Sequence, residues 1–213
     1  MTLTTSHDLS HLISQAQIAH RLVVGFYQRL LPAIKHIASE LDCSFWYWDP
    51  IVTDRPCKTS KPPGDKWAWD MVPLFASQHC YWRTDGKVAK VGDVSVSFRI
   101  CLDSNFASDK FEKLGYPKGE PDAIKLPIGE AVVKIFMTRC DQANGQSFEA
   151  QWNKAVSIDK SEALAEKWVK LSDQISGMWL QRTLVEFIAN PEKIINDLRP
   201  LLFTTPTSEL TSA

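Results

Sequence analysis

Apolar residues recur along the first forty positions with helical spacing: Leu9, Leu12, Ile13, Ala16, Ala19, Leu22, Val23, Phe26 and Leu30. That period predicts an amphipathic helix, opened by Thr5 with Asp8 three residues on as a capping box. Pro32 lacks the N–H that would extend the ladder, so the pattern predicts a break there. A second helix then runs to about position 41 with Ile34, Ile37 and Leu41 as its stripe. Between 44 and 140 the period falls to two. Four strands are predicted, over 45–52, 74–83, 93–103 and 131–140, with Asp85-Gly86 as a turn. The clearest is the third, where Val94, Val96, Phe98, Ile100 and Leu102 alternate with Ser95, Ser97, Arg99, Cys101 and Asp103. Such alternation predicts an antiparallel sheet with one face covered and the other wet.

From 159 the helical period returns through Leu164, Trp168, Leu171, Ile175, Met178 and Trp179, extended by Leu184, Phe187 and Ile188, with Gly177 as a weak point. Asn190-Pro191 then reads as N-cap and first residue of a last helix carrying Ile194, Ile195, Leu198 and Leu201. The expectation is an α+β fold, with about four mainly antiparallel strands in one sheet, packed by N-terminal and C-terminal helices. It occupies one domain over 1–203, with helices at 6–42 and 159–202, the sheet region at 44–140 and a flexible polar tail at 204–213. Two long connections, 53–66 and 104–127, are places where function tends to collect.

Composition narrows the class. The 213 residues suffice for one domain with a sizeable core, and an apolar share of 44% with 23% charged residues suits a globular protein. A net charge of −1 counts against a protein that lives on nucleic-acid backbone. No basic stretch followed by an apolar run opens the chain, and no apolar run reaches membrane-spanning length, which predicts a cytoplasmic, non-membrane protein. Five scattered cysteines without a C-x-x-C pair fit free thiols in a reducing compartment.

Five of the eight tryptophans fall between 46 and 82 around a Lys- and Pro-rich loop. Trp and Arg are frequent interface anchors, and Trp46, Trp48, Trp67 and Trp69, rimmed by Lys58, Lys61 and Lys66, are the candidate partner-binding residues. The bland alternative is that the rings thicken the core. Under the first reading the chain is a cytosolic binding or regulatory protein recognising a protein partner; whether it is also an enzyme is left open, with the balance of signals against it.

A second reading is an enzyme or small-molecule sensor built on the polar sheet face. If the second and third strands pair suitably, His79, Tyr81, Arg99, Asp103 and Lys134 gather on one side. A third is nucleic-acid binding by the loop, whose local excess of two positive charges neutralises few phosphates. A divergent nuclease would need an acid at Asp93 or Asp103 and a Glu-x-Lys, but Val132 stands between Glu130 and Lys134. His7 and His11 have the spacing of a two-histidine metal site but no third ligand. His79 and Cys80 are adjacent, so on a strand they point apart. No phosphate-cradling loop and no nucleophile elbow is present. No metal and no cofactor is expected.

Overall fold

The computed structural model describes residues 6–51, 60, 72, 74, 76–85, 87–106, 126–156 and 165–203. Thr5, the loop residues Lys58, Lys61, Lys66, Trp67 and Trp69, and the tail lie outside them.

The class is α+β. The order is α1 (Ser6–Glu40), β1 (Ser44–Pro50), β2 (Ala76–Arg83), β3 (Val94–Cys101), a 3-10 turn (Ser104–Phe106), β4 (Val132–Cys140), α2 (Phe148–Val156), β5 (Val169–Lys170), β6 (Ile175–Thr183), α3 (Leu184–Ala189) and α4 (Pro191–Phe203). Among the described residues six strands form one antiparallel sheet in the order β1-β2-β3-β4-β6-β5.

Three elements depart from the sequence pattern. Residues 169–183, expected to be helical, form β5 and β6, which raises the strand count from four to six. Leu171, Ile175 and Met178 mimic a helical stripe only because the turn between the strands interrupts the alternation. Gly177 belongs to β6 for a steric reason: a Cβ there would come within 2.7 Å of Leu171 Cδ1. The expected break at Pro32 is absent, and α1 runs through it. Pro32 lies on the exposed side of α1, where water can satisfy the carbonyl left without a donor, while Leu30, Ile34, Ile37, Ala38 and Leu41 are buried beneath. Finally, α2 carries its own short apolar set, Phe148 and Trp152.

One sheet face meets the helices α1, α3 and α4. Val94, Val96, Phe98, Ile100, Val133, Ile135 and Met137 are at most 1% exposed there and pack with Leu198, Phe187 and the C-terminal half of α1. Arg83 completes this side, its guanidinium 4.2 Å from the Phe203 ring centroid in α4. The other face is covered in part by α2, over a smaller cluster of Phe148, Trp152, Cys140, Val169, Leu171 and Ile175. Ser95 and Ser97 are therefore buried instead of wet. Their hydroxyls are satisfied across strands, Ser95 with Thr138 at 2.6 Å and Ser97 with the Cys80 thiol at 3.1 Å.

Candidate functional site

Register decides which side chains share the α2-covered face. In β2 and β3, Arg99 pairs with Gln78, Ser97 with Cys80 and Ser95 with Trp82. His79 and Tyr81 pair with Phe98 and Val96, so they point into the opposite, helix-covered side. The polar face expected from the sequence is thereby split: Arg99 and Lys134 come together, His79 and Tyr81 do not join them. His79 is buried, hydrogen-bonded through Nε2 to Ser77 Oγ at 3.1 Å, with the Trp48 ring stacked beside it. Burial lowers its pKa to about 4, which keeps the ring neutral. The Cys80 thiol points the other way and is pushed up by burial, so the two cannot act as base and nucleophile.

Asp103 also leaves the set. It follows β3, and its Oδ1 accepts hydrogen bonds from the backbone N–H of Asn105 and of Gly129, both at 2.9 Å. It fastens the exit of β3 to the approach of β4. Gly129 has no room for a side chain: a Cβ would fall 2.6 Å from Asp103 Oδ1 and 2.7 Å from the Asn105 nitrogen. Gly129→Ala should break this clasp and cost about 1–3 kcal/mol, read as a lowered urea midpoint. Asp93 is spent similarly at the other end of β3, accepting from Thr84 Oγ1 and Lys90 N–H. The two acids of the nuclease reading thus stand roughly 30 Å apart along the strand. Among the described residues, no three His, Cys, Asp or Glu side chains gather as a metal donor set.

Aromatic placement is governed by a bulge in β1. Phe45 pairs with Tyr81 and Tyr47 with Cys80, so Trp46 is the extra residue between them. Trp46 and Tyr47 both join the α2-covered face, where Trp46 stacks on Trp82 at 4.2 Å and meets Trp152 edge-on at 5.2 Å. Phe45 and Trp48 fall on the other face, with 55% and 38% of their surface exposed. Strict alternation would put Trp46 and Trp48 together, and the bulge separates them. Trp46 is a half-buried member of the second core cluster. The Nε1 of Trp152 is buried in that cluster with no hydrogen-bond partner among the described residues.

What the α2-covered face does assemble is a polar row across five strands: Asp49, Gln78, Arg99, Lys134 and Gln181, each opposite the next. Arg99 Nε donates to Gln78 Oε1 at 2.7 Å, and Gln78 Nε2 donates to the Tyr47 hydroxyl at 2.9 Å. Arg99 and Lys134 are therefore directly opposed cations on neighbouring strands, an arrangement that is destabilising by itself. No carboxylate among the described residues pairs with either. Each is instead set beside a ring of the adjoining row, Arg99 at 5.7 Å from Phe136 and Lys134 at 4.8 Å from Trp179. An open groove of about 710 Å³ begins at Gln181 and runs between Glu130–Val132 and Arg182, Thr183, Glu186 and Lys193. Its Lys193 is already paired with Glu186 at 2.5 Å.

Gln78, Tyr47, Phe136, Trp179 and Gln181 are the members that pattern reading passed over. The parity of β4, which puts Phe136 on the side of Lys134, was the available signal. Residues 6–186 match the family model described as PM0109. The chain belongs to the PM0109 family. No curated protein and no solved structure matches it. The PM0109 match takes in α1, the whole sheet and α2, and ends within α3, so it includes Arg99 and Lys134. None of the helices among the described residues is long and apolar enough to cross a membrane.

Proposed function

We propose that this protein is a cytosolic binding protein or sensor for a small anionic molecule, held by the Arg99–Lys134 pair. The observation that carries this reading is the direct opposition of two cations with no carboxylate partner among the described residues. Nε of Arg99 is engaged by Gln78, which orients the guanidinium and leaves its Nη edge for an oxyanion. Lys134 adds a point charge beside it, and the adjoining groove is of a size that suits a metabolite body. An anion bound between the two would relieve their mutual repulsion.

The test is a double variant, Arg99→Gln/Lys134→Gln, with inorganic phosphate and succinate as probes in thermal melts at constant ionic strength. Wild type should be stabilised by one probe, by about 2.7 kcal/mol at a hundredfold excess over Kd. The variant should show no shift. Equal shifts in both proteins, or no shift in wild type with either probe, would refute the reading.

A second reading, recognition of a protein partner, is favoured by one observation: Phe45, Trp48 and Ile51 are large apolar residues at the β1 edge with 55%, 38% and 48% of their surface exposed. It predicts that Trp48→Ala removes a partner captured by wild type without altering response to the anionic probes.

A further inference from the structure

α1 is 35 residues long, but its core-packed side chains among the described residues all lie from Phe26 onward. Leu30, Ile34, Ile37, Ala38 and Leu41 are buried, His36 Nε2 meets Glu192 at 2.9 Å, and Arg199 donates to the Glu40 carbonyl at 2.8 Å. From Leu9 to Val24 every side chain is exposed except Leu12, which is half-buried. The segment from Leu9 to Gly25 is therefore a helical arm of about 25 Å whose side chains are almost all exposed.

The arm does not have the composition of a solvated helix. Leu9, Leu12, Ala16, Ala19 and Val23 follow one another at steps of three and four, a heptad seam that continues into Phe26 and Leu30, which pack on the main core of their own chain. Ile13 and Leu22, 51% and 68% exposed, flank it. Between Leu9 and Gln28 the only formally charged residue is Arg21. Exposed helices that stay solitary usually carry charge around the outside; this one has polar residues such as Ser14, Gln17 and His20 but a single formal charge beside its apolar seam.

We infer that the arm pairs with the arm of a second copy of this chain, in antiparallel orientation. The seam is self-complementary about a point between Gln17 and Ile18. An antiparallel copy sets Leu9 against Phe26, Leu12 against Val23 and Ala16 against Ala19, so that small residues meet at the crossing and large ones at both ends. It also places Arg21 opposite Ser14, whereas a parallel pair would bring the two Arg21 side chains to the same level. The two sheet-bearing bodies then lie at opposite ends of the paired arms. Burial of the seam and its flanks amounts to roughly 600 Å² per copy, about 1,200 Å² in all, the lower end of what a specific dimer needs. The association is independent of anion binding at Arg99 and Lys134.

The experiment is sedimentation equilibrium of the full chain from about 1 to 100 µM, with circular dichroism to confirm that every variant is folded. Wild type should move from the 24.1 kDa chain mass toward twice that value. Val23→Glu, at a position already 41% exposed, should weaken association at least tenfold with an unchanged spectrum. The double variant Leu12→Glu/Val23→Lys separates orientations. Antiparallel arms set the introduced carboxylate of one copy against the introduced ammonium of the other and recover much of the association. Parallel arms bring like charges together and lose it. A wild type that is monomeric throughout overturns the inference, as does a dimer indifferent to Val23→Glu. A monomer whose arm binds neutral lipid vesicles would overturn it too.

Discussion

Phe98→Ala is expected to destabilise the protein by about 3–5 kcal/mol, the usual range for truncating a fully buried aromatic ring. Phe98 is 0% exposed at the centre of β3, an interior strand with β2 on one side and β4 on the other. Its ring meets Tyr81 on β2 at 6.0 Å and Phe187 on α3 at 5.5 Å. The same side chain therefore joins neighbouring strands and fastens the helical layer to the sheet. A loss of this size is a large fraction of the roughly 5–15 kcal/mol that typically holds a domain together. Urea titration should show a lower midpoint with an unchanged slope, and Phe98→Leu should recover more than half of the loss. A midpoint shift under about 1 kcal/mol would mean that α3 and the sheet are far more loosely packed than these contacts imply.

Stability should also fall by about 3 kcal/mol as the pH drops from 6.5 to 4, through His79 alone. In the folded protein the imidazole is 7% exposed, and burial lowers its pKa to about 4 from the ordinary 6.5. Within that window the unfolded chain takes up a proton that the folded chain refuses. Unfolding is thus favoured as pH falls, and the contribution is complete above pH 6.5 and gone below 4. Acidic groups add their own acid dependence, so the comparison must be with His79→Gln. The variant should lack the extra slope between pH 4 and 6.5 while keeping the rest of the profile. Parallel profiles for the two proteins would show that His79 accepts a proton without leaving its site.

The sheet was legible where one strand face met the main core. Val94 to Ile100 alternate without exception, and β1 to β4 fall within two residues of the ranges that period two predicts. β6 was illegible because both of its sides are covered. Ile175, Gly177 and Trp179 face α2 and Met178 and Leu180 face the main core, so polarity does not mark the alternation. The candidate site was half legible. Lys134 and Arg99 sit together, but which residues of β2 join them depends on register, and a slip of one residue exchanges Gln78 for His79. No local pattern fixes that register. The bulge at Trp46 is likewise set by tertiary packing, since its indole is accommodated only because Trp82 and Trp152 provide a slot for it. The aromatic cluster was visible in the sequence, but the division of its rings between two faces was not.

That extra residue in β1 also governs how these molecules can misassociate. β1 is an outer strand, seven residues rich in aromatic rings, the kind of segment that templates fibre growth when it is flat. The bulge interrupts its hydrogen-bonding rhythm near the start, and Pro50, which has no N–H to donate, closes it. At the opposite margin β5 offers only two residues. Among the described residues, neither border of the sheet gives an incoming strand a long even rail to grip. Crowded molecules of this protein are steered away from amyloid-like stacking by the same misfit that turns Trp46 inward.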